Sequence, residues 1–212
     1  IRTRGKPRST TDSTAPVDVI TGDDLLRQGG ADASSLLRNL VPSYNVNDQP
    51  ISDAATLIRP ANLRGLAPDH TLVMVNGRRR HRAAVITWLG NGLADGSQGA
   101  DISAIPALAL RDVQVLRDGA AALYGSDAIA GVVNLQLKDS ASEGAINVQY
   151  GQYSDNDDGK QTTIAINKGF ALPGSGFINL TAEWADADPT DRSVQRHCLL
   201  YTSDAADEVD RG

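Results

Sequence analysis

The chain has 212 residues, enough for one ordinary domain and part of another. Its net charge of −6 argues against a general nucleic-acid binder, which usually presents a basic face. The single cysteine, Cys198, excludes an internal disulfide and a cysteine-based zinc site, and no apolar run approaches the roughly 20 residues that a membrane-spanning helix needs.

The first elements are predicted from alternation and capping residues. Residues 1–15 are basic and polar, which predicts an extended N-terminal segment. Residues 16–20 alternate apolar and polar and predict a short strand. Thr21 or Asp23 can cap a helix that follows, and Asp32 can cap a second one. The apolar residues of this second helix recur at helical spacing: Ala33, Leu36, Leu37 and Leu40.

The middle of the chain contains one clear strand between two polar stretches. Residues 43–56 are predicted to be a loop, and residues 57–59 a short strand before a proline. Residues 71–75 are a compact apolar run, typical of a buried strand. Asn76-Gly77 follows directly and predicts a hairpin turn. Residues 78–100 are rich in Arg, Gly and small polar residues, which predicts a long surface loop.

Short elements continue to about residue 140. Residues 105–110 predict an apolar helical turn, and residues 112–116 a strand. A second helical turn is expected over residues 120–124, and a last strand over residues 131–137. The region 16–140 is therefore predicted to be an α+β domain that combines a short mixed sheet with small helices.

The pattern changes after Lys138. Residues 143–187 contain three segments of about ten residues, each with one apolar face and one polar or small face. This length and alternation fit tilted strands of a transmembrane β-barrel, whose opposite face would line a wet lumen. A soluble antiparallel meander with one face on a core fits the alternation equally well. The apolar positions are all even-numbered: Ile146, Val148, Tyr150, Ile164, Ile166, Phe170, Ile178, Leu180 and Trp184.

Longer sequence blocks favour the barrel. Residues 58–66 read IRPANLRGL and lead to TLVMVNGRR at 71–79, and IPALALRDVQVLRDG at 105–119 leads to ALYGSDAIAGVVN at 122–134. In this order the blocks resemble TonB-dependent outer-membrane receptors, over roughly residues 15–187. That family has a barrel of about 22 strands with a plug in its lumen. The resemblance implies an α+β plug domain over 16–140, followed by the first three antiparallel strands of a truncated barrel over 143–187.

The resemblance also implies a function and a location. Such receptors actively import scarce nutrients, of the siderophore, cobalamin, haem or glycan class, across the cell outer membrane. TonB of the inner-membrane energising complex grips a short strand before the plug, and no such TonB box is recognisable here, so we expect it upstream. The expected partners are thus TonB, a small-molecule or oligomeric nutrient and outer-membrane lipid, with no nucleic acid and no cofactor. A soluble periplasmic binding or adaptor domain is the alternative.

An enzyme is not expected, since the sequence lacks a Gly-x-Ser-x-Gly elbow, a phosphate-binding Gly-Lys-Ser/Thr loop and a His-Glu-x-x-His motif. No metal site is expected either, because His70 and His81 lack metal-ligand spacing.

Two arginines are candidates for holding the plug in the barrel. Arg64 and Arg117 resemble plug arginines that pair with glutamates of the barrel wall and so latch the plug in the lumen. An ordinary solvated arginine is the alternative for each.

A basic run gives a second group of candidates. Arg78, Arg79, Arg80, His81 and Arg82 could form a plug loop that faces an anionic substrate. A nucleic-acid contact fits poorly, because the chain is acidic and stacking aromatics are not interleaved with the run. A solvated loop stays open as the third interpretation.

The remaining candidates are structural. Asn76 and Gly77 are predicted to form a hairpin turn, and four glycines to occupy places where the backbone turns or approaches closely. Residues 197–212 break the strand alternation and resemble the translation of a sequencing adapter, so they are predicted to be a non-native tail, with an ordinary barrel segment as the alternative. The four glycines are Gly65, Gly119, Gly125 and Gly131.

Overall fold

The computed structural model describes most of the chain outside its two ends. The segment predicted over residues 1–15 and the tail predicted from residue 197 lie outside the described residues. The described ranges are residues 16–29, 32–46, 58–86, 96–154 and 158–190.

The first part of the chain, which we call the first domain, combines short strands with small helices. Five strands form a mixed sheet in the order β1-β6-β7-β4-β5, in which only β4 and β7 run parallel. Strands β2 and β3 form a separate two-stranded sheet. The elements are β1 (Val17–Thr21), α1 (Gly22–Leu26), α2 (Ala33–Leu40), β2 (Tyr44–Asn45), β3 (Asn62–Leu63), β4 (Thr71–Val75), β5 (Arg78–Arg79), β6 (Leu110–Leu116), α3 (Ala121–Tyr124) and β7 (Gly131–Leu137).

The helices begin where the capping residues predict. The side-chain oxygen of Thr21 accepts a hydrogen bond from the backbone N of Asp24 at 3.2 Å, so Thr21 rather than Asp23 caps α1. Asp32 caps α2 in the same way, with its carboxylate accepting from the backbone N of Ser34 at 3.1 Å. The apolar face of α2 is buried through Leu36 and Leu37, as the helical spacing predicts.

The main sheet is covered on both faces, which explains the continuous apolar run of β4. Leu72 and Met74 pack on one side with Val132, beneath α3 and the turn that follows it. Val73 faces the opposite side, in the larger cluster formed with α1, α2 and the small sheet. Because successive side chains of a strand point to opposite faces, a strand between two layers is apolar at every position.

Three predictions about short elements are wrong: the strand at 57–59, of which residue 57 lies outside the described residues, and the uninterrupted loops at 43–56 and 78–100. Ile58 and Arg59 do not form a strand; Asn62–Leu63 does, and it pairs with Tyr44–Asn45 inside the predicted 43–56 loop. The physical reason lies in Asp101, whose carboxylate accepts from the backbone N of Arg59 at 3.2 Å, so a side chain takes the place of a strand partner. The predicted 78–100 loop also begins with β5, which pairs with β4.

The second part of the chain is a three-stranded antiparallel sheet, which we call the strand wall. Its strands follow one another as a meander, and Leu172 donates to the carbonyl of Gly176 at 2.9 Å across the tight turn between the last two. No helix among the described residues is long and apolar enough to cross a membrane. The strands are β8 (Gly144–Gly151), β9 (Gln161–Ala171) and β10 (Phe177–Ala187).

The two faces of the strand wall differ as the alternation predicts. The even-numbered apolar side chains point away from the first domain and are exposed, from 38% for Ile164 to 72% for Ile146. The odd-numbered face is polar and small, but the prediction that it lines a wet lumen is wrong for β9. Thr163, Ala165 and Asn167 are 4%, 2% and 2% exposed, because β9 lies against the short helical turn at Ala107–Ala109.

Candidate functional site: the first domain and its contact with the strand wall

Residues 138–143 join the two sheets and bind the first domain at their start. The backbone N of Lys138 donates to the carbonyl of Ala109 at 2.9 Å. Asp139 accepts from Nη1 of Arg111 at 2.5 Å, and Asp112 accepts from Nε of the same side chain at 2.9 Å. The hydrogen bond to Asp112, followed by the charge of Asp139, raises the pKa of Arg111 above its ordinary value, so this guanidinium stays charged.

The same connection is bound to the strand wall at its end. The carbonyl of Ser140 accepts from Nδ2 of Asn179 at 3.2 Å, and the backbone N of Gly169 donates to the carbonyl of Glu143 at 2.9 Å. A Cβ built on Gly169 would lie 2.1 Å from the Ser140 oxygen, far inside contact distance. The connection therefore fixes the position of the first domain against β9 and β10.

Polar side chains of β9 and β10 are joined to one another on the face that is turned toward the first domain. Asn167 donates through Nδ2 to Oδ1 of Asn179 at 2.6 Å and to the Thr181 hydroxyl at 2.7 Å. Beside this network lies a cavity of about 350 Å³, lined from both sides by residues that include Asn76, Arg111 and Asn179. Polar side chains on such a face can replace hydrogen bonds within the protein by hydrogen bonds to water at little cost, whereas the apolar side chains of a core cannot.

Arg64 occupies an unusual backbone conformation. Its φ is 58°, in the left-handed region, and Gly65 follows with φ 68°. The backbone N of Arg64 donates to the carbonyl of Ser43 at 2.8 Å, which fixes the turn after β3. Its side chain is exposed, and no residue in the described ranges gives the guanidinium a hydrogen bond or ion pair. A non-glycine residue in this region carries a strain of roughly 1–2 kcal/mol.

Arg117, the second predicted latch residue, lies on a carboxylate of the first domain. Its Nε is 2.7 Å from Oδ2 of Asp18, outside the angular range of a hydrogen bond, and its Nη2 donates to Oδ1 at 3.1 Å. Both side chains are about one third exposed. The sequence offered no signal for this pair, because 99 residues separate its members.

The basic run does not act as one surface. Arg79 binds the carboxylate of Asp127 and the carbonyl of Tyr124, which ties β5 to the turn after α3. Arg82 lies 3.8 Å from Asp69, at the base of the long loop.

The other three members of the run differ in exposure. The side chains of Arg78 and His81 are exposed, whereas Nε of Arg80 is buried and has no partner in the described part of the chain. The run thus divides into side chains bound within the first domain and side chains that face solvent.

The Asn76-Gly77 turn is pinned to β7. Both residues have positive φ, 50° and 75°, as a type I′ hairpin turn requires. Oδ1 of Asn76 accepts from the backbone N of Leu137 at 2.9 Å, and Gly77 N donates to Oδ1 of Asn134 at 3.0 Å. Asn134 is 2% exposed, so a buried amide holds the hairpin to the central strand.

The other predicted turn glycines differ among themselves. Gly131 has φ 146°, and a Cβ there would lie 2.3 Å from the carbonyl oxygen of Leu116, so β7 begins in close contact with β6. Gly125 has φ 101°. Gly119 has no positive φ, and a Cβ there would make only an ordinary 3.4 Å contact with the oxygen of Ile129.

No group of three His, Cys, Asp or Glu side chains among the described residues could hold a metal ion. The functional residues that sequence reasoning missed are the acceptors of the arginines, Asp18, Asp69 and Asp127. Each is an aspartate without a motif of its own, and only the tertiary fold brings it to its partner.

Comparison with known proteins identifies this arrangement. The profile of the TonB-dependent Receptor Plug Domain family matches residues 9–132. A probable TonB-dependent siderophore receptor, PirA of Acinetobacter baumannii, is 30% identical over 154 residues, which are 71% of this chain and 20% of the relative. The vitamin B12 transporter BtuB of Photobacterium profundum is 31% identical over 172 residues, 81% of this chain and 25% of the relative.

The fold agrees with a solved structure of the same kind. The crystal structure of the siderophore receptor PirA from Acinetobacter baumannii matches with a TM-score of 0.63 and 27% identity, over 83% of this chain and 25% of that one. The chain thus spans about a fifth to a quarter of the relatives' length. The predicted fold class, a plug domain followed by the first antiparallel strands of a barrel, is confirmed, and the chain belongs to the TonB-dependent receptor plug domain family.

Proposed function

We propose that a receptor containing this chain actively imports a scarce nutrient across the cell outer membrane, with the plug gating the barrel. One observation carries the proposal. The strand wall exposes its apolar side chains on one face and buries small polar side chains under the plug on the other. The apolar face suits lipid, and the polar contact allows the plug to move without exposing a hydrophobic core.

The relatives narrow the substrate class. One is described as a siderophore receptor and another as a vitamin B12 transporter. A ferric siderophore or a cobalamin is therefore the first substrate to test, with haem and glycans next. Energy would come from TonB, bound through a segment upstream of the plug.

Uptake assays test this function directly. The complete receptor is expressed in a bacterium that lacks its own siderophore and cobalamin receptors, and uptake of labelled ferric siderophores and labelled cobalamin is measured with and without TonB. Uptake of one class that requires TonB is the expected result. Recovery of the receptor in the soluble periplasmic fraction would instead favour the binding or adaptor domain, which the exposed apolar face of the wall argues against.

Arg64 is proposed as a latch between plug and barrel. Its guanidinium is exposed, and a strained turn fixed by Ser43 holds it in place. A planar guanidinium meets a carboxylate with two parallel hydrogen bonds and keeps its charge. A glutamate on a barrel strand outside this chain would supply the partner. The resemblance supports the same proposal for Arg117, but the guanidinium of Arg117 contacts the carboxylate of Asp18 in this structure.

The basic run is proposed as a contact for an anionic substrate, through those members that are not tied within the plug. Arg78 and His81 are exposed and Arg80 is partly exposed, whereas the exposed Arg82 lies 3.8 Å from Asp69. Replacing Arg78 and His81 by Ser should weaken uptake of an anionic siderophore and leave that of a neutral ligand unchanged. Equal loss for both ligands would argue that these side chains only support the fold.

A further inference from the structure

The ion pair of Arg117 joins two parts of the plug that are far apart in sequence. Two nitrogens of the guanidinium face the two oxygens of the Asp18 carboxylate, at 2.7 and 3.1 Å. The Nη2 contact is a hydrogen bond, and the short Nε contact adds the attraction of opposite charges. Asp18 lies on β1 and Arg117 directly follows the last residue of β6.

β1 is an edge strand, and most of its side chains are at least partly exposed. Among the described residues it pairs with β6 alone, from Val17 opposite Leu116 to Thr21 opposite Asp112. Of its five side chains only Ile20 is buried, at 8% exposure. Strands with few buried contacts are the first to open locally.

Arg117 holds the beginning of this strand twice. Its backbone N donates to the carbonyl of Pro16 at 3.1 Å, and its side chain binds Asp18 two residues later. The two contacts lie where residues 1–15 lead into the sheet.

We propose that the Asp18–Arg117 pair is a clasp that holds the edge strand β1 on β6. Loss of either charge should therefore let β1 open more often. This inference does not depend on which nutrient is imported.

Thiol labelling of Ile20→Cys in the complete receptor, with no other cysteine present, measures how often β1 opens. Because Ile20 is buried, a maleimide reaches the thiol only in the open state. Asp18→Asn and Arg117→Gln should each raise the labelling rate about fivefold, the ratio expected for a partly exposed pair. The double variant should label no faster than either single one. The matched control, Asp118→Asn, removes an exposed carboxylate next to Arg117 and should leave the rate unchanged.

A double variant with the two charges exchanged distinguishes loss of the ion pair from a general folding defect. Asp18→Arg combined with Arg117→Asp should return the labelling rate toward that of the parent, which a merely unfolded strand would not do. If Asp18→Asn labels at the parental rate while Arg117→Gln labels faster, Arg117 acts through another partner and the clasp is refuted. Parental rates for both single variants refute it as well.

Discussion

Two substitutions of Arg64 distinguish the effect of its backbone conformation from the effect of its charge. Arg64→Ala and Arg64→Gly both remove the guanidinium, but only glycine adopts φ 58° without strain. Relief of the left-handed conformation is worth roughly 1–2 kcal/mol. The added freedom of glycine in the unfolded chain takes back about 0.5–1 kcal/mol. We therefore expect the turn in Arg64→Gly to be more stable than in Arg64→Ala by about 0.5–1 kcal/mol.

Two assays on the complete receptor test the two halves of this prediction. Hydrogen exchange of the backbone N–H of residue 64, which donates to Ser43, should be about two to five times slower in Arg64→Gly than in Arg64→Ala. Ion conductance of the receptor in a planar bilayer with rising urea reports plug loss, and both variants should conduct at lower urea than the parent. Arg27→Ala, which removes another exposed plug charge, should not.

The exchange assay and the conductance assay can each refute a different part of this prediction. Equal exchange in Arg64→Gly and Arg64→Ala would mean that the strain of the turn is no larger than the roughly 0.5–1 kcal/mol that the freedom of glycine takes back. Parental conductance in both variants would remove the latch, whatever the exchange rates are. An early loss of the plug in Arg27→Ala as well would show that net plug charge, and not Arg64 in particular, retains the plug.

Three further predictions concern packing and titration. Gly131→Ala should destabilise the plug by about 2–4 kcal/mol in urea unfolding, since the new methyl meets the Leu116 carbonyl, whereas Gly151→Ala, with open space around it, should stay within about 0.5 kcal/mol. Gly169→Ala should loosen the plug from β9, seen as faster exchange at the Gly169–Glu143 hydrogen bond. Burial raises the pKa of Tyr44, so the contribution of its neutral side chain to plug stability should be fully present below the unfolded pKa of about 10 and be lost as the pH rises above it. Urea unfolding at several pH values should show this alkaline loss in the parent and not in Tyr44→Phe.

Local signals were sufficient for the elements that local forces determine. The cap and spacing of α2, the Asn76-Gly77 turn and the alternation of β8 to β10 each follow from neighbours in sequence, and the structure forms all three. The two-residue strands β2 and β3 carry too few residues for a periodic signal. They exist because distant chain segments meet, so a single sequence cannot locate them.

The candidate site was predictable only in part, for the same reason. The sequence indicated which arginines to examine, but not their acceptors. Asp127 lies 48 residues from Arg79, and Asp18 lies 99 residues from Arg117. An isolated aspartate has no pattern that announces a partner, and a positive φ at Arg64 has no signal in its side chain. Fold-level contacts decide both.

The buried face of β9 explains a feature that alternation alone misreads. Membrane barrels alternate apolar and polar residues because one side meets lipid and the other meets water. Thr163, Ala165 and Asn167 instead meet protein, so small size matters as much as polarity: at Gly169, one position further along the same face, a single methyl would collide with the Ser140 carbonyl. A barrel strand that lies under the plug should therefore show small residues at alternate positions, whereas one that faces open lumen should tolerate long charged side chains there. Substituting Lys at the buried position 165 ought to displace the plug, while Lys at the partly exposed position 149 ought to be tolerated. Uptake and the ion conductance of the receptor would distinguish the two cases.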